Sequence, residues 1–141
     1  MTLRTVAAAL GLLLLTGCGA GAAVSDFGTV VKGAKGTTVP VELRSGQRFS
    51  LAVPSNASVG DSWSLAAVPD AKVASFISQE SDGESHQPGA PATVYFVFNA
   101  KRAGTTEIRL FDCWRCGTDR TPKDEESRRQ SGEAVFTLTV R

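Results

Sequence analysis

Thr93-Val94-Tyr95-Phe96-Val97-Phe98-Asn99-Ala100 and, three residues on, Gly104-Thr105-Thr106-Glu107-Ile108-Arg109-Leu110-Phe111-Asp112 carry the clearest alternation in the chain. In the first run Val94, Phe96 and Phe98 share one face, and Tyr95 and Val97 the other. In the second, Thr106, Ile108 and Leu110 point one way, and Thr105, Glu107 and Arg109 the other. A period of two with one apolar face is the signature of strands half-buried in a sheet. Working outward, residues 134–140 repeat the pattern with Phe136, Leu138 and Val140 inward. Upstream, residues 48–53 place Phe49, Leu51 and Val53 on one face, and Arg48, Ser50 and Ala52 on the other. Residues 61–67 put Trp63, Leu65 and Ala67 inward, and residues 72–78 set Val73, Ser75 and Ile77 opposite Phe76. Weaker runs cover 29–32 and 37–43, the latter joined to its successor by the Ser45-Gly46 turn. No window holds a helical stripe of more than two turns. Seven or eight short strands separated by turn residues predict an all-β sandwich of two antiparallel sheets packed face to face.

Fifteen Lys and Arg stand against fourteen Asp and Glu among 141 residues. That balance excludes a polybasic nucleic-acid segment or an acidic tail, so no nucleic-acid partner is expected. One His and three Cys are too few for a conventional zinc or iron–sulfur site, and no metal or other cofactor is expected. No nucleophile–base arrangement such as a Gly-x-Ser-x-Gly elbow occurs, and His86 lies in a polar run, so the chain does not read as an enzyme.

The first residues read as an address. Arg4 is followed by an apolar run over 6–15 that is too short to span a bilayer, which needs about twenty helical residues. It closes on Leu15-Thr16-Gly17-Cys18, which resembles a bacterial lipobox. The expected division is a lipoprotein signal peptide over 1–17, a lipidated Cys18 with a short tether over 18–28, and one domain over 29–141. Acyl chains on Cys18 would anchor the protein to the lipid bilayer of a bacterial cell envelope, facing outside the cytoplasmic membrane, where disulfides persist.

Pro54-Ser55-Asn56-Ala57-Ser58-Val59-Gly60-Asp61-Ser62-Trp63 resembles the signature loop of the chagasin-like inhibitors of papain-type cysteine proteases. There Ser-Asn-Pro-Thr-Thr-Gly precedes an aromatic residue and then a Trp two places on. Asn56, Gly60 and Trp63 match. Ala57 replaces the Pro, Ser58 and Val59 replace the two Thr, and Asp61 replaces the aromatic residue. Phe96-Val97-Phe98-Asn99-Ala100, Ala103-Gly104-Thr105-Thr106 and Ile108-Arg109-Leu110 resemble the family's paired strands and their Ala-Gly-Thr turn. Cys113-Trp114-Arg115-Cys116 occupies the place of the family's Arg-Pro-Trp, and Pro88-Gly89-Ala90-Pro91 that of its Gly-rich second loop. The resemblance spans about residues 37–141.

It implies an immunoglobulin-like sandwich whose three loops at one end fill a protease cleft without being cut. The implied contact residues are Asn56, Ala57, Ser58, Val59 and Gly60 in the first loop, Gly89 and Ala90 in the second, and Trp114 and Arg115 in the third. Asn56 would shape its loop by side-chain hydrogen bonds to backbone, and Gly60 by admitting a positive φ. Asp61 introduces a carboxylate, which is costly to bury without a partner. Trp63 reads as core, while Trp114 reads equally as an interface anchor or a packing residue. Cys113 and Cys116 have redox-type spacing, but no βαβ pattern surrounds them and zinc would lack ligands. The favoured reading is a local disulfide shaping the third loop, with redox chemistry as the alternative. For residues 124–130, in the polar run 116–132, a brief helical turn and a solvated loop both stand. Two functions follow: an inhibitor of papain-like cysteine proteases, or a non-inhibitory binding or structural envelope lipoprotein that uses the same loop end for another envelope protein or a glycan.

Overall fold

The computed structural model describes residues 25–82 and 89–141. Cys18, His86 and Pro88 lie outside the described residues. The chain runs β1 (Thr29–Lys32), β2 (Thr38–Leu43), β3 (Arg48–Ser55), β4 (Trp63–Ala67), β5 (Ala74–Ser81), β6 (Ala92–Ala100), β7 (Gly104–Asp112), α1 (Glu125–Gln130) and β8 (Gly132–Val140). Two four-stranded sheets form, in the orders β1-β3-β6-β5 and β2-β8-β7-β4. This is the expected eight-stranded sandwich.

The pairing departs from purely antiparallel at two places, since β1 runs parallel to β3 and β2 parallel to β8. The chain changes sheets at residues 33–37 and again at 44–47, so β2 intervenes in the opposite sheet. β3 therefore returns in the direction of β1. Phe49, Leu51 and Val53 from β3 interleave with Phe96 and Phe98 from β6, Ile108 and Leu110 from β7, and Phe136 and Leu138 from β8, all essentially solvent-free. Each such side chain stabilises the fold by about 1.5–3 kcal/mol through the apolar surface it withdraws from water. The Trp63 indole closes the core at one end, donating its N–H to the Pro54 carbonyl at 3.0 Å.

Two local expectations fail for identifiable reasons, and a third that stood open is decided. Ala67 is exposed, because an irregularity in the β4–β7 register between Leu65 and Ala67 breaks the alternation. Ser50 and Ala52 belong to the polar face of β3 yet are buried. The segment before β1 crosses that face. Ser50 Oγ donates to the Phe27 carbonyl at 2.6 Å, and the Phe27 ring stacks on Tyr95 at 4.5 Å. Of the helical turn and the solvated loop that both stood for residues 124–130, the helix forms, over Glu125–Gln130. Asp124 caps the helix by accepting from the Ser127 N–H at 2.7 Å, with Glu125 and Glu126 in the first turn and Arg128 and Arg129 in the last.

Candidate functional site

Three connections meet at the end of the sandwich where β3, β5 and β7 finish and β4, β6 and β8 begin. The first spans residues 56–62 and the third 113–131, and the second is described at residues 82 and 89–91. Strand register puts them side by side, with Ser55 opposite Ala92, Trp63 opposite Asp112, and Asp112 opposite Gly132.

The first loop is a tight turn that satisfies its own backbone. The Asn56 carbonyl accepts from the Val59 and Asp61 N–H groups, and the Ala57 carbonyl from Gly60. Asn56 Oδ1 accepts from the Ser58 N–H at 3.2 Å, the local bond expected of an Asn that sets a turn. Gly60 has a φ of +118°, and a Cβ there would sit 2.4 Å from Cγ of Arg115. Both the backbone conformation and the close approach therefore require glycine. Val59 is exposed at the apex.

The first loop also ties the other two together. Asn56 Nδ2 donates to the Gly89 carbonyl at 3.2 Å, and the Gly89 N–H donates to Ser58 Oγ at 2.9 Å. Ala90 lies against the same cleft as Ala57 and Ser58. On the other side, the Arg115 N–H donates to the Gly60 carbonyl at 2.9 Å and Arg115 Nε to the Val59 carbonyl at 3.2 Å.

The third loop opens on a Cys113–Cys116 disulfide. Within this ring Arg115 takes a positive φ of 47°, and its guanidinium lies 4.5 Å over the Trp114 ring. Trp114 is half-buried, its N–H donating to Ser131 Oγ and its carbonyl accepting from Ser127 Oγ at 2.6 Å. Helix α1 thus serves as a backstop for the ring, with Ser127 fully buried beneath it.

Below the loops lies a charged cluster absent from the sequence reading. Asp112 is fully buried; its Oδ1 accepts from the Ser62 N–H at 2.7 Å, and the Lys35 ammonium lies 2.8 Å from Oδ2. That second contact is an ion pair rather than a well-aligned hydrogen bond. Asp61, also turned inward, lies 3.6 Å from the same ammonium and accepts from the Asn56 N–H at 2.8 Å. The carboxylate expected to be costly at this position is therefore paired. Burial pushes the Asp112 carboxyl above its ordinary value, while Lys35 and the Ser62 N–H oppose the rise and Asp61 adds to it. Among the described residues, no cluster of His, Cys, Asp or Glu has the makings of a metal site, and no helix is long and apolar enough to cross a membrane.

Residues 42–140 match the family model described as Chagasin family peptidase inhibitor I42. The chain belongs to the chagasin family. Solved structures agree on the fold of this chagasin-family domain. The cysteine protease inhibitor EhICP2 from Entamoeba histolytica superposes with a TM-score of 0.52 at 15% identity, over 80% of this chain and 95% of that one. PbICP-C, solved in complex with falcipain-2, gives 0.60 at 12% identity, over 81% and 100%. Amebosin, solved in solution, gives 0.53 at 15%, over 80% and 98%. No curated protein has significant sequence similarity to the chain. Membership of a family of non-catalytic peptidase inhibitors makes the domain non-enzymatic and supports an inhibitory role.

The structure brings Asn56, Ser58, Val59, Gly60, Gly89, Trp114 and Arg115 into one bonded edge, with Ala57 and Ala90 beside them. Sequence reasoning missed Lys35, Ser127 and the structural use of Asp61 and Asp112. For Ser127 the available signal was its place three residues after Asp124, a cap-type residue at the start of the charged run.

Proposed function

We propose that this chagasin-family domain inhibits papain-like cysteine proteases reversibly and competitively, filling the cleft with residues 56–60, 89–90 and 114–115. The observation that carries the reading is the bonding of all three loops through the first one, by Asn56 to Gly89 and by Gly60 and Val59 to Arg115. Loops ordered before binding lose little conformational freedom on docking, so their contacts convert more fully into affinity. The first loop offers turn backbone with no extended segment to be cut, so occupancy blocks substrate without hydrolysis.

The inhibitor is further proposed to act at a bacterial envelope, attached through lipid on Cys18, with 1–17 removed, 18–28 as tether and 29–141 as the working domain. Multiple acyl chains at one residue give the stable anchoring that a single chain does not. Cys18→Ser should abolish detergent partitioning. An intact mass showing a processed but unlipidated N-terminus would remove the anchor from the proposal.

Titrating the purified protein against papain, with residual hydrolysis of a peptide substrate as the readout, tests inhibition directly. A competitive pattern is expected, and several papain-like proteases left fully active by well-folded protein would defeat it. The departures at Ala57, Ser58, Val59 and Asp61, with the Cys113–Cys116 ring in place of Arg-Pro-Trp, favour the second reading. In that reading the same edge binds another envelope protein and no protease.

A further inference from the structure

Lys35 lies before the region matched by the family model, on the turn that carries the chain from β1 to β2. The turn itself is fixed to both sheets. The Gly33 N–H donates to the Ala52 carbonyl at 2.9 Å and the Gly36 N–H to the Glu133 carbonyl at 2.7 Å, while Thr37 Oγ1 closes the turn on Ala34. From this mount the Lys35 stem passes alongside Gly132, where an added Cβ would lie 3.6 Å from it.

Its ammonium then reaches three groups, and each governs a different part of the loop edge. Asp61, at 3.6 Å, holds the Asn56 N–H at the head of the first loop. Asp112, at 2.8 Å, holds the Ser62 N–H at its tail. The Gln130 carbonyl, at 2.9 Å, belongs to the end of α1, which holds the Trp114 carbonyl within the Cys113–Cys116 ring.

We propose that Lys35 is a positioning residue that fixes the first and third loops relative to one another and thereby sets the inhibitor's affinity, a role that rests on the inhibitory reading. The electrostatics account for it. Asp61 and Asp112 carry two negative charges around one cation, and Asp112 has no exposure to water. Removing the cation takes away the group that joins the head and tail of the first loop to the end of α1, and in the single variant also leaves two like charges facing each other, so the loops lose their common tie. An exposed ion pair contributes little to such an arrangement; here Lys35 itself is exposed, but its partner Asp112 is fully buried and the ammonium is shared three ways.

The test uses the full chain purified in detergent. Lys35→Met is compared with Lys35→Arg and with Lys35→Met/Asp112→Asn, which leaves no fully buried charge unpaired and protects the comparison against misfolding. Amide exchange reads loop order independently of any protease. The Asn56 amide should exchange at least about tenfold faster in Lys35→Met and in the double variant, while β6 amides keep their protection. Papain inhibition should weaken by about tenfold in the same two variants, as expected when pre-ordering is lost, and Lys35→Arg should retain both properties. Wild-type exchange at Asn56 in both charge-removing variants would overturn the proposal, and so would an equal loss in Lys35→Arg. If wild-type protein inhibits no papain-like protease, the inhibitory reading fails, while the exchange result still decides whether Lys35 orders the loops.

Discussion

The sandwich core and the loop end are built on different physics. Between the sheets, Phe49, Phe96, Phe98 and Phe136 exclude water through bulk and shape. At the loop end, two carboxylates, an ammonium, side-chain amides and hydroxyls and one disulfide hold backbone turns in place. Apolar burial is large and non-directional, so it secures the fold and tolerates small shifts. Hydrogen bonds and ion pairs contribute less but fix direction, which is what a surface meant to match a partner requires. The contrast separates stability from binding, and substitutions can be sorted by which of the two they damage.

The largest effect falls where the two regions touch. Trp63→Ala should remove about 3–5 kcal/mol of stability, because it empties a core site and frees the Pro54 carbonyl at the root of the first loop. Thermal denaturation measures it, and an unchanged melting temperature would erase the boundary drawn here between core and loops. Gly60→Val should cost about 1–3 kcal/mol in binding through a forbidden φ and a clash with Arg115, while the core melts as before. Paired inhibition and melting curves check it. Next comes Trp114→Ala, expected to weaken protease affinity by about 2 kcal/mol, roughly thirtyfold, if the half-buried ring is an interface anchor. A loss of melting temperature without a loss of affinity would assign Trp114 to packing instead.

Cys113→Ser with Cys116→Ser should cost about 1–2 kcal/mol of stability, because so short a ring restrains the unfolded chain only slightly. Affinity should fall more than stability, since the ring sets the pose of Trp114 and Arg115. The smallest effect is a pH dependence. With its pKa raised in the folded state, Asp112 binds its proton more tightly there than in the unfolded chain. Its contribution therefore favours folding as pH falls from neutral towards the ordinary Asp value and is lost as pH rises through the raised one. Denaturant midpoints measured across that window should show this slope in wild-type protein and a flatter one in Asp112→Asn.

Strands β3, β6, β7 and β8 were legible because a half-buried sheet writes its two faces directly into the sequence. Asn56, Gly60 and the Cys113/Cys116 pair were legible because turns and short rings are local. What escaped was long-range or cooperative. Lys35 meets Asp112 across 77 positions with no periodic trace, and nothing in a strand's own pattern names its neighbour, so the parallel pairings of β1 and β2 were invisible. Ser50 and Ala52 misled because a single aromatic from outside the strand pattern, Phe27, crosses their face. Helix α1 is six residues long, below the length at which helices hold alone, and exists by its Asp124 cap and by Ser127 docking under the third loop.

The parallel pairing of β2 with β8 sets an order of assembly. Thr38 lies opposite Val135 and Leu43 opposite Val140, and β8 is an interior strand of its sheet. During synthesis β2 is made early but has no neighbour until residue 140 has left the ribosome, so that sheet cannot close on a partial chain. Contacts this distant in sequence slow folding, since a long loop must be closed before any pairing energy is gained. A nascent chain cut short within β8 would leave β2 and β7 as open edges, able to recruit strands from other copies. The same late closure would keep the chain threadable until its final strand is complete.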